Sequence, residues 1–316
     1  MSGNNTQNSQ AIIRSEVWQV QLEEILHENL MGVPFVRQVE FPDGTQFTMP
    51  SIGTPLVRDL PEGTELTFDA LDTGEVSITM NAPVAAANSL SQVLMEDALW
   101  AAEAIASVPV EQAQAIMERF ETDTLALAMN QSGGVSNANN INGVAHRKIG
   151  TGTNETMAVK DFAFAGYSLQ KAKVSRMNLV AIVDPSVGFA LETATNLTNL
   201  SNNPRWEGII ETGITNNFRF VRNVFGFDVF ESNMLPTMNE TIGGLTTTAG
   251  KANIFSSLAR PGIAPFVLAW RRHPILVAEW NNKKKQTEID TTARWGSGLV
   301  RDENLVVIGT DIDQVS

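Results

Sequence analysis

Residues 36–81, VRQVEFPDGTQFTMPSIGTPLVRDLPEGTELTFDALDTGEVSITMN, decide how this chain is built. Turn signals at Pro42-Asp43-Gly44, Pro55, Pro61-Glu62-Gly63 and Asp72-Thr73-Gly74 punctuate the stretch. Extended pieces lie between them, Glu65-Leu66-Thr67-Phe68 and Glu75-Val76-Ser77-Ile78-Thr79-Met80. The second alternates polar and apolar residues, as a half-buried strand does. Large apolar residues are too few for the segment to close a core of its own. It is predicted to be a long β-hairpin that leaves its domain and needs an outside surface to lie on. A strand of about 15 residues reaches about 50 Å, enough to meet a neighbouring molecule.

The charge pattern points the same way. Residues 39–80 hold eight acids, Glu40, Asp43, Asp59, Glu62, Glu65, Asp69, Asp72 and Glu75, against one base, Arg58. Residues 251–316 hold nine bases, among them Arg271, Arg272 and the run Lys283-Lys284-Lys285, against seven acids. An acidic and a basic segment on one chain can attract each other within a subunit or between subunits. Two solvated faces are the plainer alternative.

The whole chain has 316 residues, a length that suggests about two domains. Its hydrophobic fraction of 43% is enough for a folded core. There is no cysteine, so disulfides, thiolate nucleophiles and thiolate metal sites are excluded. The polar start, Met1 to Gln10, lacks the basic and apolar regions of a signal peptide. No apolar run has the length of a membrane-spanning helix. The formal charge of −13 opposes sequence-specific DNA binding, which needs a basic footprint.

Outward from the hairpin, residues 12–30 have the spacing of an amphipathic helix, ended by Gly32 and Pro34. Residues 88–131 are predicted to be helical, capped by Asn88 or Ser89 and broken or kinked at Pro109. Residues 131–157 read as a polar Gly/Asn/Ser loop. Helix 158–173, a buried strand 178–183 ended by Asp184-Pro185, and helix 186–200 follow. A hairpin turning at Gly226 is expected in 218–235, a Thr/Gly-rich loop at 237–252, and strands at 264–270, 274–280, 286–294 and 304–310.

Catalytic constellations are missing. His27, His146 and His273 are far apart in sequence, and no pair has helical zinc spacing. Gly150-Thr151-Gly152-Thr153 lacks the Lys-Ser/Thr of a phosphate loop. No Gly-x-Ser-x-Gly elbow occurs, and Asp311-Ile312-Asp313 lacks the rest of a calcium loop. No catalytic, cofactor-binding or metal residue is assigned, and no cofactor is expected.

Two stretches carry a family resemblance. Gly226-Phe227-Asp228-Val229-Phe230-Glu231-Ser232-Asn233-Met234-Leu235-Pro236 looks like an axial-domain hairpin of the pattern Gly-Phe-x-Val-x-x-Ser-Asn-x-Leu-Pro. Trp295 to Ile308, WGSGLVRDENLVVI, looks like a closing hairpin before a final apolar strand. Together with the order of parts, they resemble the tailed-bacteriophage major capsid proteins of the Hong Kong 97-like fold. The resemblance implies an α+β fold with an N-arm (1–38), an extended loop (39–86), a spine helix and peripheral domain (87–175), an axial domain (176–262) and return strands (263–316).

It also implies a non-enzymatic subunit of the virion, assembled in the host cytoplasm. Pentamers and hexamers would form an icosahedral shell around packaged double-stranded DNA, held by confinement. The expected partners are other copies of the chain, a scaffolding protein, a portal, and decoration or cement proteins; no membrane is involved. The scaffold is expected because the sequence opens directly on the arm. Some relatives cross-link an extended-loop lysine to a neighbour's asparagine. Here the first lysine is Lys148, so the shell is expected to be non-covalent. An encapsulin-like compartment shell and, more remotely, a soluble α/β enzyme or ligand-binding protein are the rival readings.

Overall fold

A computed structural model describes residues 35–52, 73–97, 101–193 and 220–311, together with Val57, Asp59, Glu62, Gly63, Glu65 and Ala70. The arm helix expected at 12–30, all but Glu65 of the strand at 65–68 and the later part of the helix expected at 186–200 lie outside the described residues. In chain order the strands are β1 (Val36–Glu40), β2 (Gln46–Ile52), β3 (Thr73–Thr79) and β4 (Val84–Ser91), followed by helices α1 (Gln92–Asp97) and α2 (Ala101–Ala126). Three short strands come next, β5 (Asn140–Ile141), β6 (Val144–Ala145) and β7 (Arg147–Ile149), then α3 (Val159–Lys171), β8 (Leu179–Val183) and α4 (Pro185–Thr193). The chain ends in β9 (Phe220–Val224), β10 (Phe227–Glu231), β11 (Thr241–Ile242), β12 (Leu245–Thr246), β13 (Gly250–Ser257), β14 (Phe266–Asn281), β15 (Gln286–Leu299) and β16 (Val306–Asp311).

Two sheets organise these elements. One has the order β1-β14-β15-β4, the other β7-β16-β13-β8-β10-β9. The hairpin β2–β3 forms a two-stranded sheet by itself. Helix α2 lies on the four-stranded sheet. Gln112 Nε2 donates to the Ile289 carbonyl and to Asn88 Oδ1, both at 2.9 Å, and its Oε1 accepts from Thr291 Oγ1 at 2.8 Å. Below this, Phe120 stacks on Trp270 with ring centroids 5.5 Å apart and meets Trp295 edge-on at 5.6 Å.

Strand β8 shows why its sequence is continuously apolar. Leu179, Ala181 and Val183 face α3 and α4 in a cluster with Phe162, Leu169, Val187 and Phe255. Val180 and Ile182 face the other way, into the core that contains Phe120, Trp270, Ile254 and Val307. A strand covered on both faces needs apolar residues at every position. The hairpin β9–β10 turns where predicted, with Phe225 at φ 50° and Gly226 at φ 88°, the two left-handed positions of a tight hairpin turn.

Several expectations are corrected. Residues 88–91, the expected start of the helix at 88–131, are not helical. They complete β4, where pairing with β15 decides the conformation. The helix that follows is capped by Ser91, whose Oγ accepts the Leu94 N–H at 3.2 Å, and not by Asn88 or Ser89. Helix α2 runs through Pro109 as one element. The ring costs one backbone hydrogen bond, and the buried position of Pro109 supplies compensating packing.

Residues 131–157 are also more than a polar loop. They supply β7 to the six-stranded sheet and place His146 and Arg147 fully inside the protein. The glycines of the phosphate-loop-like stretch serve close backbone approach, since a Cβ on Gly150 would meet the Thr156 carbonyl at 2.5 Å. Asp161 closes the same loop, accepting Lys148 Nζ at 2.6 Å and the N–H groups of Thr151 and Ala158 at 3.0 Å. Strands expected at 264–270 and 274–280 are one strand, β14. Its register shifts where Pro274 cannot donate. Finally, Trp295 to Ile308 is no hairpin, because β15 and β16 belong to different sheets.

Candidate assembly interface

The β2–β3 hairpin leaves the four-stranded sheet through the turn at Pro42-Asp43-Gly44. Phe41 N–H still donates to the Trp270 carbonyl at 2.9 Å, and the Phe41 ring packs on Phe47 with centroids 5.4 Å apart. Its base is anchored by two buried side chains, Ile78 and Met80. They fit over Gly296 and Gly298 of β15, where a Cβ on Gly298 would meet Ile78 Cγ1 at 2.7 Å. Beyond that base, among the described residues, the hairpin strands pair with each other, Gln46 opposite Thr79 through to Ile52 opposite Thr73. Strand β1, by contrast, belongs to the body. It pairs parallel with β14, so the hairpin proper begins at Gln46 and not at the start of the 36–81 stretch.

The acids singled out in the sequence are solvent-facing wherever they are described. Glu40, Asp43, Asp59, Glu62, Glu65 and Glu75 are all exposed. Asp69 and Asp72 lie outside the described residues. The bases divide into two groups. Arg271 and Arg272 sit at the irregular middle of β14, and Lys283, Lys284 and Lys285 form the exposed turn between β14 and β15.

Part of the expected pairing occurs inside one chain. Arg271 Nη1 is 4.0 Å from Asp43 Oδ1, and His273 Nε2 is 3.0 Å from Glu40 Oε1. Both contacts are largely exposed and contribute little to stability. His273 was not predicted as a partner, since nothing in its sequence neighbourhood places it against β1. Lys284 Nζ is 3.8 Å from Glu288 Oε1. Hydrogen bonds from Gln286 and Asn281 hold the Glu288 carboxyl below the usual carboxylate range. Arg272 lies opposite Arg294 across the strands, two like charges side by side.

The two small-residue segments, 131–157 and 237–252, were expected to be loops. They are tied to each other. Glu240 Oε2 accepts Arg147 Nε at 2.9 Å and Ser136 N–H at 3.0 Å, and Ser136 Oγ accepts Thr241 N–H at 3.4 Å. Burial lowers the His146 pKa and raises those of Glu121 and Asp302. Among the described residues, no group of three His, Cys, Asp or Glu side chains could hold a metal ion. No described helix is long and apolar enough to cross a membrane.

A spine helix on a four-stranded sheet, a six-stranded sheet flanked by helices and a projecting hairpin define an α+β subunit of the Hong Kong 97-like fold. Solved phage structures share it. The capsid of cyanophage P-SCSP1u matches with a TM-score of 0.67 at 15% identity, over 89% of this chain and 88% of that one. The mature capsid of bacteriophage PhiM1 matches with 0.63 at 13% identity, over 89% and 86%. A Mycobacterium phage Che8 chain matches with 0.59 at 15% identity, over 84% and 85%. No curated protein sequence matches.

A family model described as phage capsid protein matches residues 89–308, and the chain belongs to that family. It is a phage major capsid protein, a structural subunit that assembles with its own copies into the virion shell.

Proposed function

We propose that this subunit forms pentamers and hexamers that close an icosahedral head around double-stranded DNA. The reading rests on the β2–β3 hairpin, which is anchored at its base by Ile78 and Met80 and carries exposed acids beyond it. A two-stranded sheet is marginal alone in water and gains stability by lying on another surface. In a shell that surface is the next subunit.

In this scheme the spine helix and four-stranded sheet are the peripheral domain, and the six-stranded sheet is the axial domain. The residues that precede β1, 1–34, act as the arm that ties to another neighbour, since Phe35 and Val36 are buried in the subunit's own core. Contacts are heterologous, so each copy both gives and receives a hairpin, and rotation closes the ring. The acidic segment lies against a neighbour's basic turn at Lys283–Lys285. The net charge of −13 leaves the genome held by confinement, not adhesion. The shell is assembled in the host cytoplasm with a scaffolding protein and a portal, and decoration or cement proteins attach to it.

The test is deletion of residues 45–65. The purified variant should keep its secondary structure by circular dichroism, and electron micrographs should show no closed shells. Normal particles from the deletion variant would overturn the proposal.

A further inference from the structure

We infer that the open edge of β4 receives strand β3 from the hairpin of a second copy, in antiparallel pairing. The inference rests on the reading that the hairpin lands on a neighbour, and it names where and how it lands.

Backbone parity defines the landing edge. The Gln92 N–H donates to the Lys285 carbonyl at 2.9 Å, and the β4–β15 register runs without a shift from Ser91 opposite Gln286 to Val84 opposite Ala293. Hydrogen-bonded and non-bonded pairs alternate along an antiparallel ladder. Leu90, Asn88, Ala86 and Val84 therefore point their N–H and C=O groups at β15. Ala85, Ala87 and Ser89 point theirs away, and no described strand lies on that side. Their side chains are exposed as well.

Strand β4 has none of the usual protections of an edge. Val84–Ser91 is eight residues long with no charge, no proline and no register shift. The opposite edge of the same sheet, β1, is shorter and carries Arg37 and Glu40. A long uncharged edge is a template for pairing with another chain.

The same argument selects β3 as the incoming strand. The Met80 N–H donates to the Thr45 carbonyl at 3.0 Å, and the β2–β3 register is regular. On β2 the outward positions are Gln46, Thr48, Pro50 and Ile52, and Pro50 has no N–H to offer, so that edge is blocked. On β3 they are Thr73, Glu75, Ser77 and Thr79, each with a donor and an acceptor.

Charge sets the direction. The exposed lysines 283–285 adjoin the C-terminal end of β4, where Ser91 faces Gln286. Antiparallel addition brings the start of β3, with Glu75 and the acidic stretch preceding it, to that end. Parallel addition would carry the acids away from the lysines.

The test uses the parity. Ala87→Pro removes an N–H that β15 does not use, so the chain should fold yet form no closed shells; Ser77→Pro should do the same from the donor strand. Ala86→Pro removes an N–H that β15 does use and should destabilise the fold itself. A second arm needs no proline. The chain has no cysteine, so a photo-cross-linker can be placed at Ala87→Cys alone, and shells grown from mixed light- and heavy-isotope copies.

The expected product is a link to residues 73–79 of a different copy. If Ala87→Pro shells are normal, or the label captures residues 1–34 or its own copy, the inference falls. If the 45–65 deletion still blocks assembly in that case, the hairpin reading survives without it. If the deletion also assembles, both fall.

Discussion

Arg147 and Glu240 form an ion pair closed to solvent, with side chains 0% and 2% exposed. The guanidinium Nε lies 2.9 Å from Glu240 Oε2, and Nη1 donates to the Met129 carbonyl at 3.4 Å. One contact thus ties together the segment following the spine helix, the edge strand β7 and the residues leading into the β11–β12 hairpin. Removing one partner leaves the other charge buried and unpaired, which costs about 3–5 kcal/mol. Arg147→Met should lower the unfolding free energy extrapolated from urea titration by that amount. Arg147→Met combined with Glu240→Leu should recover most of the loss. A double variant no more stable than the single one would show that the geometry of the pair matters more than its charge.

The spine helix is held to the four-stranded sheet by aromatic packing around Phe120, which touches both Trp270 and Trp295. Truncating a buried phenylalanine costs about 3–5 kcal/mol, partly as lost transfer energy and partly as a cavity. Phe120→Ala should therefore melt well below the parent, whereas Phe120→Leu should lose less. Calorimetry of the unassembled subunit measures this free of shell contacts.

His146 makes stability depend on pH. Burial lowers its pKa below the ordinary 6.5. The Val144 carbonyl, 3.1 Å from Nδ1, and the charges of Asp302 and Glu303 oppose this without cancelling it. The folded state thus prefers the neutral ring. Its stability is complete above the ordinary histidine value and is lost as pH falls through the depressed one. The Asp302 carboxyl, raised by burial, has the opposite sign. Subtracting a His146→Phe variant isolates the histidine. The parent-minus-variant stability should fall on going from pH 7.5 to pH 5, and a flat difference would contradict the assignment.

What could be read in the sequence followed a simple division. Strand β8 was legible because burial on both faces leaves an unbroken apolar run, and the turn at Gly226 because a left-handed position selects glycine. The hairpin was legible from what it lacked, enough apolar residues for its own core. Strand β4 was not, since Val84–Ser91 carries small residues that suit either conformation, and only β15, two hundred residues away in sequence, decides between them. Arg147 was hidden for a related reason. Its buried partner lies at Glu240, and local composition reports the polarity of a segment but not a distant counter-ion. The candidate interface was half legible. Charge located the acids and the lysines, while the open edge beside those lysines required strand pairing.

The lysine turn supplies the last prediction. Lys283 and Lys284 are exposed and lie outside both core clusters, so Lys283→Glu with Lys284→Glu should leave the subunit's melting temperature nearly unchanged. Lys285 is left alone because its backbone is left-handed, at φ 52°. If the turn attracts a neighbour's acidic hairpin, charge reversal turns attraction into repulsion, and assembly followed by light scattering should slow and stop short of completion at low salt. At about 1 M salt the screening length shrinks to about 3 Å, and the parent and variant should converge. The parent itself should then assemble less well, having lost the same attraction. A deficit equal at every salt concentration would point to altered shape at the turn, and no deficit at low salt would remove the lysines from the interface.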